Sequence, residues 1–123
     1  MIIGVVNPNH EATIQLVVRG ARGQQETIAA VIDTGFTGSL TLPPMLITAL
    51  GLPWLGRQRA MLGDGSVRFF DVYAATIVWD GQVRTVETDV TDTEPLLGMS
   101  LLAGHEVRMQ VVDGGTVTIE ALP

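Results

Sequence analysis

The 123-residue sequence contains no cysteine, which excludes disulfide bonds, thiol nucleophiles and metal sites built on thiolates. Basic residues are also few: seven Lys and Arg stand against thirteen Asp and Glu, and the net charge is −6. Affinity for nucleic acid depends on basic side chains that neutralise phosphates, and these seven form no basic cluster. We therefore expect no nucleic-acid partner.

Long apolar runs and the common cofactor motifs are absent as well. No apolar stretch approaches the roughly 20 residues that span a bilayer, so we expect no membrane partner and take the cytoplasm as the location. The two histidines, His10 and His105, lack a metal-binding spacing, so we expect no metal and no cofactor. The sequence also lacks the Gly-x-Ser-x-Gly elbow of serine hydrolases and a Gly-rich phosphate loop with its Lys.

Short apolar runs rich in β-branched residues make up most of the chain, and Gly, Asp or Pro separate them. Such runs predict strands at residues 11–18, 25–32, 39–42, 57–62, 66–79, 82–90, 96–98, 106–112 and 116–119. Asp-Gly pairs, in Gly63-Asp64-Gly65 and Asp80-Gly81, predict hairpins with type I′ turns. Residues before the first run are interpreted as an N-terminal arm.

Residues 43–53 carry the one clear helix signal. Pro44 suits the first helical turn, Gly51 suits a left-handed stop, and Pro53 prevents continuation. Residues 99–103 predict one further helical turn. The length allows one domain, residues 1–123, and the pattern predicts an all-β fold: a small closed β-barrel with one or two short helices.

The tripeptide Asp33-Thr34-Gly35 follows the apolar strand at residues 25–32 and occurs once. By itself it is a weak signal, because these residue types are common in turns. Two later elements add weight: the hairpin at Gly63-Asp64-Gly65, and the unit at residues 96–102, where apolar residues, a Gly and a helical turn follow one another. In this order the three elements resemble the retropepsin-like aspartic proteases, and most closely their short bacterial members.

This resemblance, which spans residues 12–119, implies a role for each residue of the tripeptide. Asp33 corresponds to the catalytic aspartate. Thr34 is expected to form a hydrogen bond across a dimer axis, and Gly35 to let two loop backbones approach each other. The C-terminal part, with its own hairpin at residues 106–119, departs from the retroviral proteins, whose short terminal strand joins the dimer.

The resemblance also assigns two supporting elements. The hairpin tip, Leu62, Gly63, Asp64 and Gly65, is expected to be the flap that closes over bound peptide. Leu97 and Gly98 are expected to lie behind the active loop, where a side chain at position 98 would collide with it. Asp64 places a charge at the tip of this hairpin.

The chemistry of peptide hydrolysis explains why a second copy is needed. One carboxyl must take a proton from water while another protonates the carbonyl oxygen, and two carboxyls about 3 Å apart share one proton for this purpose. One chain supplies a single Asp33. The sequence therefore predicts an aspartic endopeptidase that acts on peptide or protein substrates as a homodimer.

Several alternatives stay open from the sequence. One alternative is a non-catalytic retropepsin-like module for peptide binding or dimerisation. Another is a small barrel that binds a small ligand. The side chains of Thr37 and Ser39 bond either the Asp33 carboxylate or backbone groups of the turn. Trp54 and Trp79 are interpreted as core or loop anchors. An acidic run is interpreted as a solvated face, with a position near the cleft as the alternative: Glu87, Asp89, Asp92 and Glu94.

Overall fold

Alternating apolar and polar side chains produce ten strands, and two short helices join them. The computed structural model describes all residues, 1–123. The elements are β1 Ile2–Val6, β2 Ala12–Arg19, β3 Gln25–Ile32, β4 Leu40–Leu42, α1 Pro44–Leu50, β5 Trp54–Met61, β6 Val67–Trp79, β7 Gln82–Val90, β8 Leu96–Leu97, α2 Met99–Leu102, β9 His105–Met109 and β10 Thr116–Ala121.

The strands form one sheet that closes on itself. Its order is β5-β6-β7-β4-β8-β3-β2-β1-β10-β9, and β6 also pairs with β2. That extra pairing closes a ring of six strands, namely β2, β3, β8, β4, β7 and β6. The predicted all-β fold, a small closed barrel with two short helices, is therefore confirmed.

The barrel encloses the hydrophobic core. Side chains at every second position of β2 face inward, and Ile14, Leu16 and Val18 are fully buried there. Leu40 of β4 and Leu97 of β8 meet them from the facing strands. Burial of each such side chain contributes about 1.5–3 kcal/mol, so the core stabilises the strands and fixes the positions of the loops at their ends.

The helix α1 confirms the prediction for residues 43–53. Its first residue is Pro44, and Gly51 ends it in the left-handed conformation, with φ of 59°. The side chains of Ile47 and Leu50 join the core. Neither helix has the length and apolar character needed to cross a membrane.

The two Asp-Gly hairpins differ in turn geometry. Asp80 and Gly81 both have positive φ, 50° and 78°, which confirms the type I′ turn between β6 and β7. In the hairpin between β5 and β6 only Gly65 has positive φ, 84°. The Leu62 N–H there donates to the Ser66 carbonyl, which gives a longer loop with Gly65 as a bulge residue, so the type I′ prediction is wrong at this position.

The N-terminal residues form a strand, so their interpretation as an arm is wrong. Strand β1 pairs with β10 along one edge and with β2 along the other. A Cβ at Gly4 would lie 2.8 Å from the Ile14 side chain, so this glycine permits close approach of the strands rather than forming a turn. At the other end of the chain β9 stops at Met109, and residues 110–115 form a loop rather than more strand.

Candidate active site

Asp33 lies where β3 leaves the sheet. Strands β3 and β8 run parallel, with Ile32 beside Leu97, and the Asp33 N–H still donates to the Leu97 carbonyl at 2.9 Å. Ile32 packs against the core, so the alternation of side chains turns Asp33 to the opposite face. Asp33 as a whole residue is half-buried there.

One oxygen of the Asp33 carboxylate is held by its own loop. The Gly35 N–H donates to Asp33 Oδ1 at 2.9 Å, and Oδ2 accepts no hydrogen bond from the chain. Thr34 and Gly35 are exposed beside it. A Cβ at position 35 would lie 3.3 Å from Oδ1, so a larger residue would press on the carboxylate.

The side chains of Thr37 and Ser39 make no hydrogen bond to the carboxylate. Their backbone carbonyls are used instead: the Ser100 hydroxyl donates to the Thr37 carbonyl, and the Gly98 N–H donates to the Ser39 carbonyl at 2.9 Å. Both of the bonding possibilities raised by the sequence for these side chains are therefore unused.

The segment from Gly98 to Ser100 fastens the loop after Asp33. The Met99 N–H donates to the Phe36 carbonyl at 2.8 Å, and the Ser100 N–H donates to the Gly38 carbonyl at 3.1 Å. These bonds use donors at the start of α2 that have no partner within the helix. Sequence reasoning missed Ser100. The available signal was a hydroxyl residue in the first turn of a short helix.

Gly98 sits against the same loop. A Cβ there would lie 2.6 Å from the Phe36 ring and 2.8 Å from the Phe36 carbonyl oxygen, and it would also meet the Gly38 carbonyl. The obstruction therefore comes from the residues after Asp33-Thr34-Gly35 rather than from the tripeptide. Leu97, next to it, is fully buried in the core.

The hairpin between β5 and β6 projects from the barrel. Its tip consists of Leu62, Gly63, Asp64 and Gly65, all exposed. Asp64 accepts hydrogen bonds from the Ser66 hydroxyl at 2.6 Å and the Ser66 N–H at 2.8 Å. These bonds, the hydroxyl first, lower the pKa of the Asp64 carboxyl, so the tip stays negatively charged.

The sheet connects the Asp33 region to this hairpin along its outer face. Leu40 and Leu97 pair on the core face, so their neighbours Thr41 and Leu96 share the opposite one, the face to which Asp33 turns. The Leu96 N–H donates to Thr41 Oγ1 at 2.9 Å. On the same face, Thr41 stands beside Asp89 of the neighbouring strand β7.

Asp89 in turn stands beside Val72 of β6. Val72 is buried but lies outside the core cluster, and Phe70 and Arg68 extend its row along the hairpin. This face of the hairpin therefore belongs to the same sheet face as Asp33. Burial, and then the neighbouring charge of Glu87, raise the pKa of Asp89.

The acidic residues between positions 87 and 94 lie in two different environments. Glu87, Asp92 and Glu94 are exposed, in line with the interpretation as a solvated face. Asp89 alone is half-buried on the sheet face that carries Asp33. The structure contains no group of three or more acidic or histidine side chains arranged to hold a metal ion.

An apolar groove begins at Thr34 and runs between α2 and β9. Its walls include Met99 and Leu102 on one side and Val107 and Met109 on the other. His105 lines the groove as well. Sequence reasoning did not detect this surface, because its two walls are joined by only a short connection and neither shows a long apolar run.

The buried Trp79 supports this groove from below. Its Nε1–H donates to His105 Nε2 at 3.2 Å, so His105 Nδ1 carries the proton and donates to the Ala103 carbonyl at 3.0 Å. Trp79 is thus a core anchor, as interpreted. Trp54 is neither a core nor a loop anchor: it is exposed at the start of β5 and donates to Asp71 Oδ1 at 3.1 Å.

No model of a known protein family matches the sequence, and no curated protein matches it. Solved structures do. A retropepsin-like aspartic protease from Rickettsia conorii has a TM-score of 0.60 and 18% identity, and the match covers 99% of this chain and 91% of that one. The EIAV protease, complexed with the inhibitor HBY-793, has a TM-score of 0.54 and 18% identity over 75% of this chain and 85% of that one. This protein therefore has the retropepsin-like fold.

Proposed function

We propose that this protein is an aspartic endopeptidase in which two copies each contribute Asp33 to one shared site. The observation that carries the proposal is the state of this carboxylate. Asp33 is a half-buried residue at a strand end, the Gly35 N–H holds one oxygen of its carboxylate, and the other oxygen accepts no hydrogen bond within the chain. A catalytic carboxyl needs such a fixed position together with a free oxygen.

The reaction requires two carboxyls that share one proton. The ionised carboxyl accepts a proton from water as the water oxygen attacks the peptide carbonyl carbon, and the protonated carboxyl gives its proton to the carbonyl oxygen. Collapse of the tetrahedral intermediate then breaks the C–N bond: the carboxyl that took the water proton gives it to the leaving amine, and the other carboxyl recovers a proton from a hydroxyl of the intermediate, which becomes the product acid. A single chain provides only one Asp33, so the active unit is a homodimer.

The remaining predicted site residues take supporting roles in this proposal. Thr34 bonds across the dimer axis, and Gly35 allows the two loops to meet. Leu97 and Gly98 fix the position of the loop behind Asp33. These 123 residues act as one catalytic domain, and no cofactor takes part.

The substrate in this proposal is an extended peptide. It lies between the Asp33 loops and the hairpin tips, bound mainly by main-chain hydrogen bonds. Leu62, Gly63, Asp64 and Gly65 close over it. The shared sheet face, from Leu96 through Val72 to the hairpin, supports this placement.

The test is Asp33→Asn in the purified protein, with Asp92→Asn as the matched control on the exposed acidic loop. We expect Asp33→Asn to reduce cleavage of a peptide library at least 10³-fold, since the amide can act as neither base nor acid. Asp92→Asn should cleave as the unmodified protein does. Both variants should retain the thermal unfolding midpoint within a few degrees.

A statine-type inhibitor gives a second readout, because a working pair of carboxyls binds this transition-state mimic much more tightly than substrate. Undiminished cleavage by Asp33→Asn would refute the proposal. Peptide binding without cleavage, unchanged in Asp33→Asn, would instead support the alternative of a non-catalytic binding module. The exposed apolar residues Met61, Val67 and Phe69 on the hairpin would suit such a module.

A further inference from the structure

Two exposed methionines flank the groove that begins at Thr34. Met99 of α2 is 46% exposed and Met109 of β9 is 39% exposed, and they stand on opposite walls. Leu102 and Val107 lie deeper between them. These two methionines are well suited to contact another apolar surface, because their flexible thioethers adapt to its shape.

The loop at residues 110–115 adds to the same end of the molecule. Val111 and Val112 are 57% and 61% exposed in it. Hydrogen bonds hold the loop tightly: the Gly115 N–H donates to the Val112 carbonyl at 2.8 Å, and the Gly114 N–H donates to the Val6 carbonyl at 2.9 Å. Two valines are thus presented to the outside by a rigid loop, which costs little conformational entropy on docking.

The shared site determines which surface a second copy must cover. If two Asp33 carboxyls lie about 3 Å apart, the surface next to Thr34 faces the partner. A two-fold interface uses the same patch on both copies, so the groove and the loop of one copy meet those of the other. The groove is the apolar surface that touches Thr34.

Two other surfaces are less well placed to face a second copy beside Thr34. Strand β1 pairs with β10 from Ile2 to Val5 and with β2 at Val5 and Val6, so only its first residues, 2–4, keep a free edge to exchange with another copy. A second apolar groove, beside Ile28, Met45 and Leu46, lies next to α1. Ile28 is five residues before Asp33 on an extended strand, about 16 Å away, so a contact centred on Asp33 does not reach it directly.

Resting on the proposed function, we infer that the dimer forms through the groove between α2 and β9, with the loop at residues 110–115 of each copy seated on the groove of the other. Met99 and Met109 receive Val111 and Val112 of the second copy. The groove side of the contact is apolar, because the charged residues of β9, Arg108 and Glu106, pair with each other at 3.0 Å on the other face of that strand. The dimer interface thus joins directly to the catalytic loop at Thr34.

Charge insertion tests this interface. We expect Val112→Glu and Met109→Glu each to weaken self-association at least 30-fold in sedimentation velocity runs across a dilution series, since an unpaired carboxylate would be buried. Val83→Glu, on an exposed valine of β7, is the matched control and should leave association unchanged. Circular dichroism and thermal unfolding of each monomer check that the fold is retained.

Cysteine cross-linking provides a readout that does not depend on activity. Because the chain has no cysteine, a Val112→Cys copy mixed with a Met99→Cys copy should form a disulfide-linked heterodimer under mild oxidation. Val83→Cys mixed with Met99→Cys should not. The cross-linked pair should remain dimeric on dilution far below the dissociation constant of the unlinked protein.

The outcomes separate the two proposals. An active dimer that tolerates both charge insertions and forms no Val112–Met99 cross-link would overturn this inference and leave the proposed function standing. If the charge insertions weaken the dimer but the unmodified protein cleaves nothing, the interface is supported and the proposed endopeptidase activity is overturned. A monomer at all concentrations that also cleaves nothing would overturn both.

Discussion

The loop after Asp33 and the tip of the β5–β6 hairpin contain similar residues but differ in what holds them in place. Both are short turns that contain Asp and Gly. The Asp33 loop is bonded to a distant segment, Gly98 to Ser100, at several points. The tip at Asp64 bonds only to its own neighbour Ser66, and the residues around it are exposed.

This difference separates a loop held by distant residues from one held only by its neighbours, and under the proposed function the first is the fixed part and the second the movable part. A catalytic group needs support from residues outside its own loop to keep its geometry. A segment that closes over substrate needs few contacts with the rest of the molecule, because it must open at small cost. Four changes test the contrast, in order of decreasing effect.

Gly98→Val should have the largest effect. The new side chain meets the backbone of Phe36 and Gly38, which cannot move without shifting the Asp33 loop. We expect a loss of about 3 kcal/mol or more in the free energy of unfolding, and loss of cleavage. Urea denaturation measures the first and a peptide assay the second.

The matched control is Gly63→Val at the hairpin tip. A Cβ there meets no atom within 4 Å, and Gly63 does not have positive φ. We expect a stability change of under about 0.5 kcal/mol. Equal losses at the two positions would show that the Asp33 loop is no more constrained than the hairpin.

Ser100→Ala should have the second-largest effect. It removes the hydroxyl that donates to the Thr37 carbonyl, which costs about 1 kcal/mol and loosens the Asp33 loop. We expect kcat to fall more than KM rises, because the position of the carboxyl changes while the peptide contacts remain. Ser66→Ala removes a hydroxyl bond at the hairpin tip and serves as control, with little effect on global unfolding.

Phe70→Ala distinguishes the two faces of the hairpin. Phe70 is half-buried on the sheet face shared with Asp33, whereas Phe69 is 64% exposed on the other face. Loss of apolar contact with peptide should raise KM about tenfold for Phe70→Ala and less than twofold for Phe69→Ala. Steady-state kinetics of the two variants measure this, and identical KM values would argue against the assigned face.

Asp89→Asn should have the smallest effect, and it depends on pH. Because burial and then Glu87 raise the pKa of Asp89 above its ordinary 3.8, folding favours the protonated carboxyl. Its favourable contribution is full below the ordinary value and is lost as pH rises through the raised one. Asp89→Asn should therefore be more stable than the unmodified protein at neutral pH and no more stable in strong acid.

Urea unfolding over a pH series measures this difference. Asp92→Asn, on an exposed loop residue, is the control and should follow the unmodified protein. A stability gain for Asp89→Asn that is the same at every pH would contradict the charge argument.

Local patterns predicted most of the elements. Residues 25–32 and 82–90 form strands with the predicted bounds, because alternation and flanking turns are properties of the segment itself. The helix at α1 follows from Pro44 and Gly51 for the same reason. Strand β1 was missed, since what makes it a strand is pairing with β10 at the far end of the chain.

The candidate site was predicted less completely. The position of Asp33 at a strand end followed from the sequence, and so did the nearby Gly98. The bond from Ser100 and the groove at Thr34 did not, because each depends on segments brought together by the barrel. The turn at Gly65 is not the predicted type I′ turn, because an Asp-Gly pair is compatible with more than one loop length.

Local order in the sequence by itself determined the strands, the short helices and a single acidic turn after β3, because each reflects the environment of neighbouring side chains. Only the tertiary structure decided that β6 pairs with β2, that the start of α2 holds the Asp33 loop, and that an apolar groove opens beside Thr34. These are contacts between residues that are distant in the chain, so they form, and stabilise the protein, only when the barrel closes.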